Sequence, residues 1–294
     1  MDIYKPLAER TPDAQYHKRL RYILMHGKME KDTPQGVGAL TCFGTLPQMV
    51  FDLSNGVPLI TERSCNGFWK KAVAEIIAFI NGARTLDEIK SYGCDFWEDY
   101  RGKGAMLGLD PDDMGPGSYG AAFHAFPMPD GKGFNQLKNI VEQIREYPHL
   151  RSHRVNPWIP FYTPRGERRK VIVTPCHGKM HWRIIDNRLH LHMQQDSADV
   201  PVGVPSNMIQ YSALLLMMCQ VTGYQPGNFI HSFSDAHIYE NQIDSVYKLL
   251  DREPRPFPIL RLDPSIRDLF AFRPEHFTLD EYDPHPGMKI PYSP

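Results

Sequence analysis

Apolar residues at helical spacing mark five segments of the chain. In the first, DAQYHKRLRYILMHGK, large side chains recur at intervals of three and four residues, and Gly27 supplies a stop. The second, FWKKAVAEIIAFINGA, is strongly amphipathic and closes at Asn81-Gly82. Three more helices are predicted for FNQLKNIVEQIREYP, PSNMIQYSALLLMMCQVTG and ENQIDSVYKLLDRE.

The fourth of these helices is apolar on nearly every side. It is predicted to start beyond Pro205 and to end at Gly223. A helix without a polar face has to be covered all round, so we expect it at the centre of the fold.

Strand-like runs occur between these helices. GALTCFGTLPQMVFDLSNGVPLIT predicts strands broken by Gly, Pro and an Asn-Gly turn, and NFIHSFSDAHIY and PRPFPILRL predict two more. RRKVIVTPCHGKMHWRIIDNRLHLHMQQDS predicts three β-runs, the last two joined across DNR as a hairpin. The sequence shows no repeats, low-complexity tracts or linker, which predicts a single α+β domain over residues 1–294.

Between about Tyr92 and Lys132 the chain is rich in Gly, Pro and Asp. A long irregular stretch inside a compact protein is usually functional or disordered. Its aromatic residues favour the ordered, functional alternative: Phe96, Trp97, Tyr100, Tyr119, Phe123 and Phe126.

Composition narrows the class of protein. The 294 residues are 41% hydrophobic, which is enough for a substantial core. Lys+Arg number 33 against 34 Asp+Glu, so the charge balance favours neither a nucleic acid nor a membrane surface as the main partner. The basic run RGERRK, at residues 165–170, is interpreted as a solvated loop rather than a phosphate-binding track.

The five cysteines are scattered, without a CxxC pair and without zinc spacing apart from adjacent Cys176 and His177. A reducing compartment is the simpler interpretation. The N-terminal residues lack an apolar signal-peptide core, and no segment approaches the roughly 18 apolar residues of a membrane span. We therefore expect a cytoplasmic protein without a metal site.

Cys176 stands in the segment TPCHG at the end of a predicted strand. A lone cysteine in an apolar strand is most often a small core residue. Here Pro175 interrupts strand hydrogen bonding, His177 is polar and Gly178 leaves room, which suits an exposed sulfur. Nearby cations would lower the pKa of such a thiol, so both a core role and a nucleophilic role stay open on the residues alone.

Five segments resemble the signature segments of the thymidylate synthase family, in that family's order and spacing. They are TPCH, DVPVGVPSN (199–207), FSDAHIY (233–239), REPRPFP (252–258) and YDPHPGMKIP (282–291). The resemblance extends from the first helix to the last residues and is strongest after about residue 150. It implies a thymidylate-synthase-like domain with a large mixed β-sheet flanked by helices, one face of the sheet forming a homodimer.

The resemblance implies four catalytic residues. Cys176 matches the thiolate that adds to C6 of a uracil ring, which makes C5 nucleophilic toward the methylene group of 5,10-methylenetetrahydrofolate. Glu75 matches a glutamate that relays protons through water at the pyrimidine carbonyl, and Tyr119 matches a tyrosine near the C5 proton. Asn207 matches the asparagine that binds N3–H and O4 of uracil, whereas cytosine-specific relatives place an aspartate there.

The resemblance also implies residues that bind the two ligands. In relatives the C-terminal tail closes over the folate and excludes water, and the resemblance implies the same role for the tail of this chain. His237 and Tyr239 match the pair that holds the sugar hydroxyl, and Gln195 and Ser197 match polar groups near the nucleotide. Asp199, Trp97 and Gly203 are expected in the folate site.

The segments expected to bind the nucleotide phosphate depart from the family pattern, which gathers four arginines, two of them from the partner subunit. Thr33 stands where the first is expected, and Ser152 replaces one of the pair, beside Arg151, with Arg154 as a candidate replacement. The fourth is replaced by Asp196, which would repel a phosphate dianion unless a cation intervenes. We expect either a different phosphate site or a different substrate; with the loop shifted by one residue, Asp196 would instead face solvent.

Three functions follow as hypotheses. The first is C5 methylation of a uracil nucleotide, with a pyrimidine nucleotide and a folate as the expected partners. The second is C5 hydroxymethylation of a pyrimidine nucleotide or nucleoside, because water can replace hydride in the last step; Tyr100, where relatives often have tryptophan, alters the packing that keeps water out. The third is a noncatalytic relative that binds a nucleotide or RNA. The chain keeps the residues that match the family's catalytic set, which argues against this third hypothesis.

Overall fold

A computed structural model of the protein describes residues 3–164 and 166–293. Helices pack on one face of a large sheet, and short 3₁₀ turns fill the connections. The α-helices of the described chain are α1 Gln15–His26, α2 Trp69–Ile80, α3 Leu86–Ser91, α4 Tyr119–His124, α5 Gln136–Glu146, α6 Gly203–Thr222 and α7 Ile243–Leu250.

The main sheet is mixed. Its order is β1-β2-β9-β8-β7-β6, β3 also pairs with β9, and only the β8–β9 pairing among these is parallel. Two short antiparallel pairs, β4–β5 and β10–β11, lie outside it. The strands are β1 Lys28–Glu30, β2 Ala39–Phe43, β3 Met49–Asp52, β4 Phe126–Pro127, β5 Gly133–Phe134, β6 Arg154–Val155, β7 Lys179–Ile185, β8 Arg188–Asp199, β9 Gln225–Tyr239, β10 Ile259–Leu262 and β11 Phe277–Asp280.

Helix α6 forms the centre of the core, as its lack of a polar face predicts. Nearly all of its residues are buried, and it packs against α2 on one side and against β8 and β9 on the other. It begins at Gly203, before the predicted start beyond Pro205. Pro205 is tolerated there because the N–H groups in the first turn of a helix have no hydrogen-bond partner within the helix, so the N–H that proline lacks is not needed.

The β7–β8 hairpin confirms the prediction across DNR. Asp186 and Asn187 both have positive φ, 51° and 59°, and connect the paired residues Ile185 and Arg188. Two such residues suit a tight turn whose twist matches the strands.

The predicted β-run before this hairpin is wrong. Residues 169–178 form no strand, because their backbone groups bond to loops: Ile172 N–H donates to the Met114 carbonyl, and the Arg169 guanidinium donates to the carbonyls of Val171 and Ile172. The stretch 92–132 is ordered but not wholly irregular, since it contains α4 and β4.

Candidate active site

One cavity of about 560 Å³ opens between α2, α6, the loop before β7 and the ends of β8 and β9. It collects side chains that are far apart in the sequence. The residues singled out from the sequence that line it are Glu75, Phe96, Trp97, Tyr100, Tyr119, Cys176, Gln195, Ser197, Asp199, Gly203, Asn207, His237 and Tyr239.

Backbone hydrogen bonds on both sides hold Cys176 at this cavity. Its N–H donates to the Tyr119 hydroxyl at 2.6 Å, and the N–H of His177 reaches the same oxygen at 3.3 Å. Its carbonyl accepts from the backbone N–H of Asp196 at 2.6 Å. Gly178, at a φ of 93°, then turns the chain into β7. The thiol is thereby fixed in place on a non-repetitive loop.

The surroundings of Cys176 favour the thiol over the thiolate. Burial raises the pKa of Cys176 to about 11, and the Asp196 carboxylate adds to the rise, while the contact with Tyr119 opposes it. The sulfur lies 3.4 Å from the Thr174 carbonyl, an acceptor suited to S–H. Addition of the sulfur to a substrate therefore has to be accompanied by loss of this proton.

Asp196 does not face free solvent. It lies on β8, and its carboxylate is 2.6 Å from the ammonium of Lys179 on the neighbouring strand β7. That ammonium also lies 5.7 Å from the centre of the Trp158 ring. A cation therefore already neutralises Asp196, and neither of the paired side chains lines the cavity.

Glu75 projects from the apolar face of α2 and is almost fully buried. Burial raises its pKa to about 7, although hydrogen bonds from Trp97 and Gln210 act in the opposite direction. The indole Nε1–H donates to one carboxylate oxygen and the Gln210 amide donates to the other. A carboxyl group with a pKa near neutrality can both take up and release a proton.

Asn207 lies one turn from the start of α6, and protein groups hold both ends of its amide. Gln195 donates to its Oδ1 at 3.1 Å, and its Nδ2 donates to Gln210 at 2.9 Å. One N–H and one oxygen lone pair of Asn207 are left for the cavity.

The far end of the cavity carries hydroxyl, imidazole and carboxylate groups. His237 lies edge-on to Tyr239 at 4.9 Å and 3.2 Å from Asp235. Burial raises the pKa of Asp199, which accepts hydrogen bonds from Gln242 and from the backbone of Val202.

The end of the chain reaches the same region. Tyr292 and Ser293 line the cavity, and the Pro291 carbonyl accepts a hydrogen bond from Gln242 at 3.0 Å. The same Gln242 side chain holds Asp199, so one residue connects the tail to the carboxylate.

Arg151 and Arg154, predicted to bind substrate, do not join this cavity. Both side chains are exposed: Arg154 lies on the outer strand β6 and Arg151 lies shortly before it. The Arg151 carbonyl accepts a hydrogen bond from His181. Among the described lining residues Arg63 is the one Lys or Arg, and it donates to the Pro201 carbonyl and lies over the Phe68 ring.

Sequence reasoning missed several residues of the site, among them Arg63, His177 and Gln210. His177 stacks on Tyr119 at 4.5 Å and contacts the Tyr211 hydroxyl at 2.6 Å; burial lowers its pKa to about 3, so it is neutral. Gln210 was missed as well, although its position three residues after Asn207 puts both on one helix face.

A comparison with protein-family models agrees with this arrangement. The model described as thymidylate synthase matches residues 14–294. The chain belongs to the thymidylate synthase family. This confirms the resemblance found in the sequence and the expected large mixed sheet flanked by helices.

Thymidylate synthase family members transfer a one-carbon group to C5 of a pyrimidine and use a folate of the methylenetetrahydrofolate type. Enzymatic C5 transfer to a pyrimidine is thus the general activity that membership supports. Across the part of the chain that the structure describes, no helix is both long enough and apolar enough to cross a membrane.

Proposed function

We propose that the protein methylates C5 of a uracil nucleotide, with 5,10-methylenetetrahydrofolate as donor and a covalent bond between Cys176 and C6 as the intermediate. The observation that carries the proposal is the meeting of a fixed thiol, a carboxyl group of near-neutral pKa and an amide in one cavity. Each is needed for a different part of the chemistry: bond formation, proton transfer and recognition of the base.

The covalent step uses Cys176 to change the reactivity of the ring. Sulfur forms a bond to C6, the thiol proton passes to water, and the electron pair of the C5–C6 π bond moves to C5 and the carbonyl O4. The amide N–H of Asn207 left free by the protein is suited to O4, and its free lone pair is suited to N3–H. Glu75, on the other side of Gln210, is the group suited to exchange protons in this region.

The residues available to the folate are Trp97, Asp199 and the tail. A flat ring system fits an aromatic wall, and a buried carboxylate suits ring N–H donors, so the cavity fits the cofactor. When bound, the folate supplies the methylene carbon and, for methylation, the hydride. The chain's own part is to orient this ligand and to keep water out, with Tyr292 and Ser293 at the edge.

The sugar end of the substrate meets a site poor in positive charge. His237 and Tyr239 are suited to a sugar hydroxyl, but the described lining holds three carboxyl groups, of Glu75, Asp99 and Asp199, against one arginine. The substrate is therefore either a nucleoside or a nucleotide whose phosphate is bound by residues from outside this cavity.

We propose a homodimer as the source of those residues. Arg151 and Arg154 are exposed and unattached to their own cavity. The sheet face opposite α6 carries partly exposed side chains of alternating position, such as His181, His192 and Ile230, and could pair with a second copy.

Hydroxymethylation stays a second candidate because of Tyr100. Its ring lies 5.5 Å from that of Trp97 and borders the cavity. A phenol here offers water a hydrogen-bonding group beside the folate site, and water in place of hydride gives the hydroxymethyl product.

Cys176→Ala tests the proposal. The protein is incubated with methylenetetrahydrofolate and a panel of uracil and cytosine nucleosides and monophosphates, ribo and deoxy, and products are identified by mass spectrometry. We expect a C5 methyl product from the wild type and a loss of turnover of at least about a thousandfold in the variant. Cys219→Ala, at a buried cysteine of α6 away from the cavity, is the matched control and should keep its activity.

The panel also separates the other hypotheses. A hydroxymethyl product would contradict methylation and establish hydroxymethylation, the second candidate, as the activity. Ligand binding without turnover in the wild type would contradict catalysis and favour a binding-only relative. Turnover of nucleosides alone would show that the site does not accept a phosphate.

A further inference from the structure

A continuous row of hydrogen bonds runs through the core beneath the cavity, from α2 across α6 to β9. At its centre is the fully buried Gln210, which does not line the cavity. The members in order are Trp97, Glu75, Gln210, Asn207, Gln195 and His231.

The direction of these hydrogen bonds is set at the Glu75 end when that carboxyl group is ionised. Trp97 donates to one of its oxygens and Gln210 to the other, and an ionised carboxylate only accepts, so the side of Gln210 that faces Glu75 is its NH₂ group. The Gln210 carbonyl oxygen then faces Asn207, and it accepts from Nδ2 at 2.9 Å. The orientation of one amide thus determines that of the next.

The other end of the row imposes the same direction. His231 Nε2 lies 2.8 Å from the Gln195 oxygen, and within the described structure its Nδ1 has no partner. A buried lone pair without a partner costs less than a buried N–H without one, so the proton belongs on Nε2. Gln195 then offers its NH₂ group to the Asn207 oxygen, at 3.1 Å.

We propose that Gln210 is a positioning residue that locks the amide orientation of Asn207 and thereby makes the site select uracil over cytosine. This inference rests on the proposed function of Asn207 in binding the base. Uracil presents an N3–H donor and an O4 acceptor, and cytosine presents the reverse order at the same edge. Asn207 held in this one orientation can hydrogen-bond to uracil, whereas with cytosine it would place donor against donor and acceptor against acceptor.

Reversing Asn207 to suit cytosine would disrupt the whole row. Its oxygen would meet the Gln210 oxygen, and its NH₂ group would meet that of Gln195. Turning Gln210 as well would bring its oxygen against the Glu75 carboxylate. On the other side, His231 can adapt by moving its proton to Nδ1, but a turned Gln195 would lose its 3.0 Å hydrogen bond to the Ser197 carbonyl. Both sides of Asn207 therefore resist reversal, and Gln210 transmits the resistance of the Glu75 side.

Gln210→Met tests this role, because methionine has a similar volume and cannot form the directed bonds. Gln210→Leu is a second variant should the first not fold, and circular dichroism with thermal unfolding checks both. The control is Gln220→Met on the same helix, whose amide donates to the carbonyls of Asp263 and Ile266 away from the cavity. Dissociation constants are measured by calorimetry for uridine and cytidine, and for their deoxy forms and 5′-monophosphates.

We expect the wild type and Gln220→Met to bind the uracil member of each pair more tightly than the cytosine member. In folded Gln210 variants the ratio of the two constants should fall by about tenfold or more, chiefly through tighter binding of the cytosine member. An unchanged ratio in folded Gln210 variants would overturn the inference and leave the proposed function intact. A wild type that binds no uracil compound, or has no preference, would overturn the proposed role of Asn207 and the inference together.

Discussion

At the residue scale, the reactivity of Cys176 depends on a neighbour of unfavourable charge. Asp196 raises the pKa of this thiol, and Lys179 offsets part of the effect by pairing with the carboxylate. The resemblance implied that Asp196 lies at the phosphate-binding position, and its effect on the Cys176 thiol became visible only in the structure. Its pairing with Lys179 could not, because that contact depends on the alignment of β7 beside β8.

Removing the charge of Asp196 should make Cys176 easier to ionise. In Asp196→Asn the carboxylate is lost and the Lys179 ammonium is set free, and both changes favour the thiolate. The rate of alkylation by iodoacetamide, which increases with pH up to the pKa of the thiol, should show a midpoint below the wild-type value near 11. At pH 8 the variant should react several-fold faster, by about threefold to tenfold.

Labelling reports on Cys176 because the four other cysteines are buried. Lys179→Met is the matched variant of opposite sign: it leaves Asp196 unpaired, so alkylation at pH 8 should slow. Equal rates in the wild type and Asp196→Asn would show that Asp196 does not act on the thiol.

At the element scale, the loop before β7 is the part that the sequence misidentified. VIVTP has the composition of a strand, but composition does not reveal that Met114 and Arg169 take up its hydrogen-bonding groups. Helices α1, α2, α5 and α6 and the β7–β8 hairpin were predictable, because periodicity and turn residues are local signals.

Gly178→Ala tests how tightly this loop is held. At a φ of 93° a Cβ would lie 2.8 Å from both the Phe123 ring and the Tyr211 hydroxyl, two buried side chains. We expect a loss of about 2–4 kcal/mol in the free energy of unfolding, from backbone strain together with overpacking. Urea denaturation measures it.

Gly44→Ala is the control, since Gly44 also has a positive φ, 68°, but nothing within 4 Å of the added carbon. It should cost only about 1 kcal/mol. Equal losses in the two variants would mean that strain alone acts at Gly178 and that the loop is not held against Phe123 and Tyr211.

At the scale of the whole molecule, segments that are far apart in the sequence line one cavity. Most of these contacts were implied by the family resemblance and not by the pattern of hydrophobic and polar residues. Periodicity could place Glu75 on an apolar helix face, where a carboxylate needs partners. It could not bring Glu75 to Gln210, which lies on a helix far along the chain. The partly exposed sheet face and the exposed Arg151, which lies away from its own cavity, are the observations that support the proposed homodimer.

The central claim is that Cys176 forms a covalent bond with the pyrimidine during transfer. It is tested by peptide mass mapping after incubation with methylenetetrahydrofolate and the 5-fluoro form of the uracil compound that the enzyme turns over. Fluorine cannot leave C5 as a proton does, so the adduct should accumulate. We predict that the peptide containing Cys176 gains the combined mass of the pyrimidine and the folate. An enzyme that forms C5 product yet leaves this peptide unmodified, or carries the mass on another residue, would contradict the account.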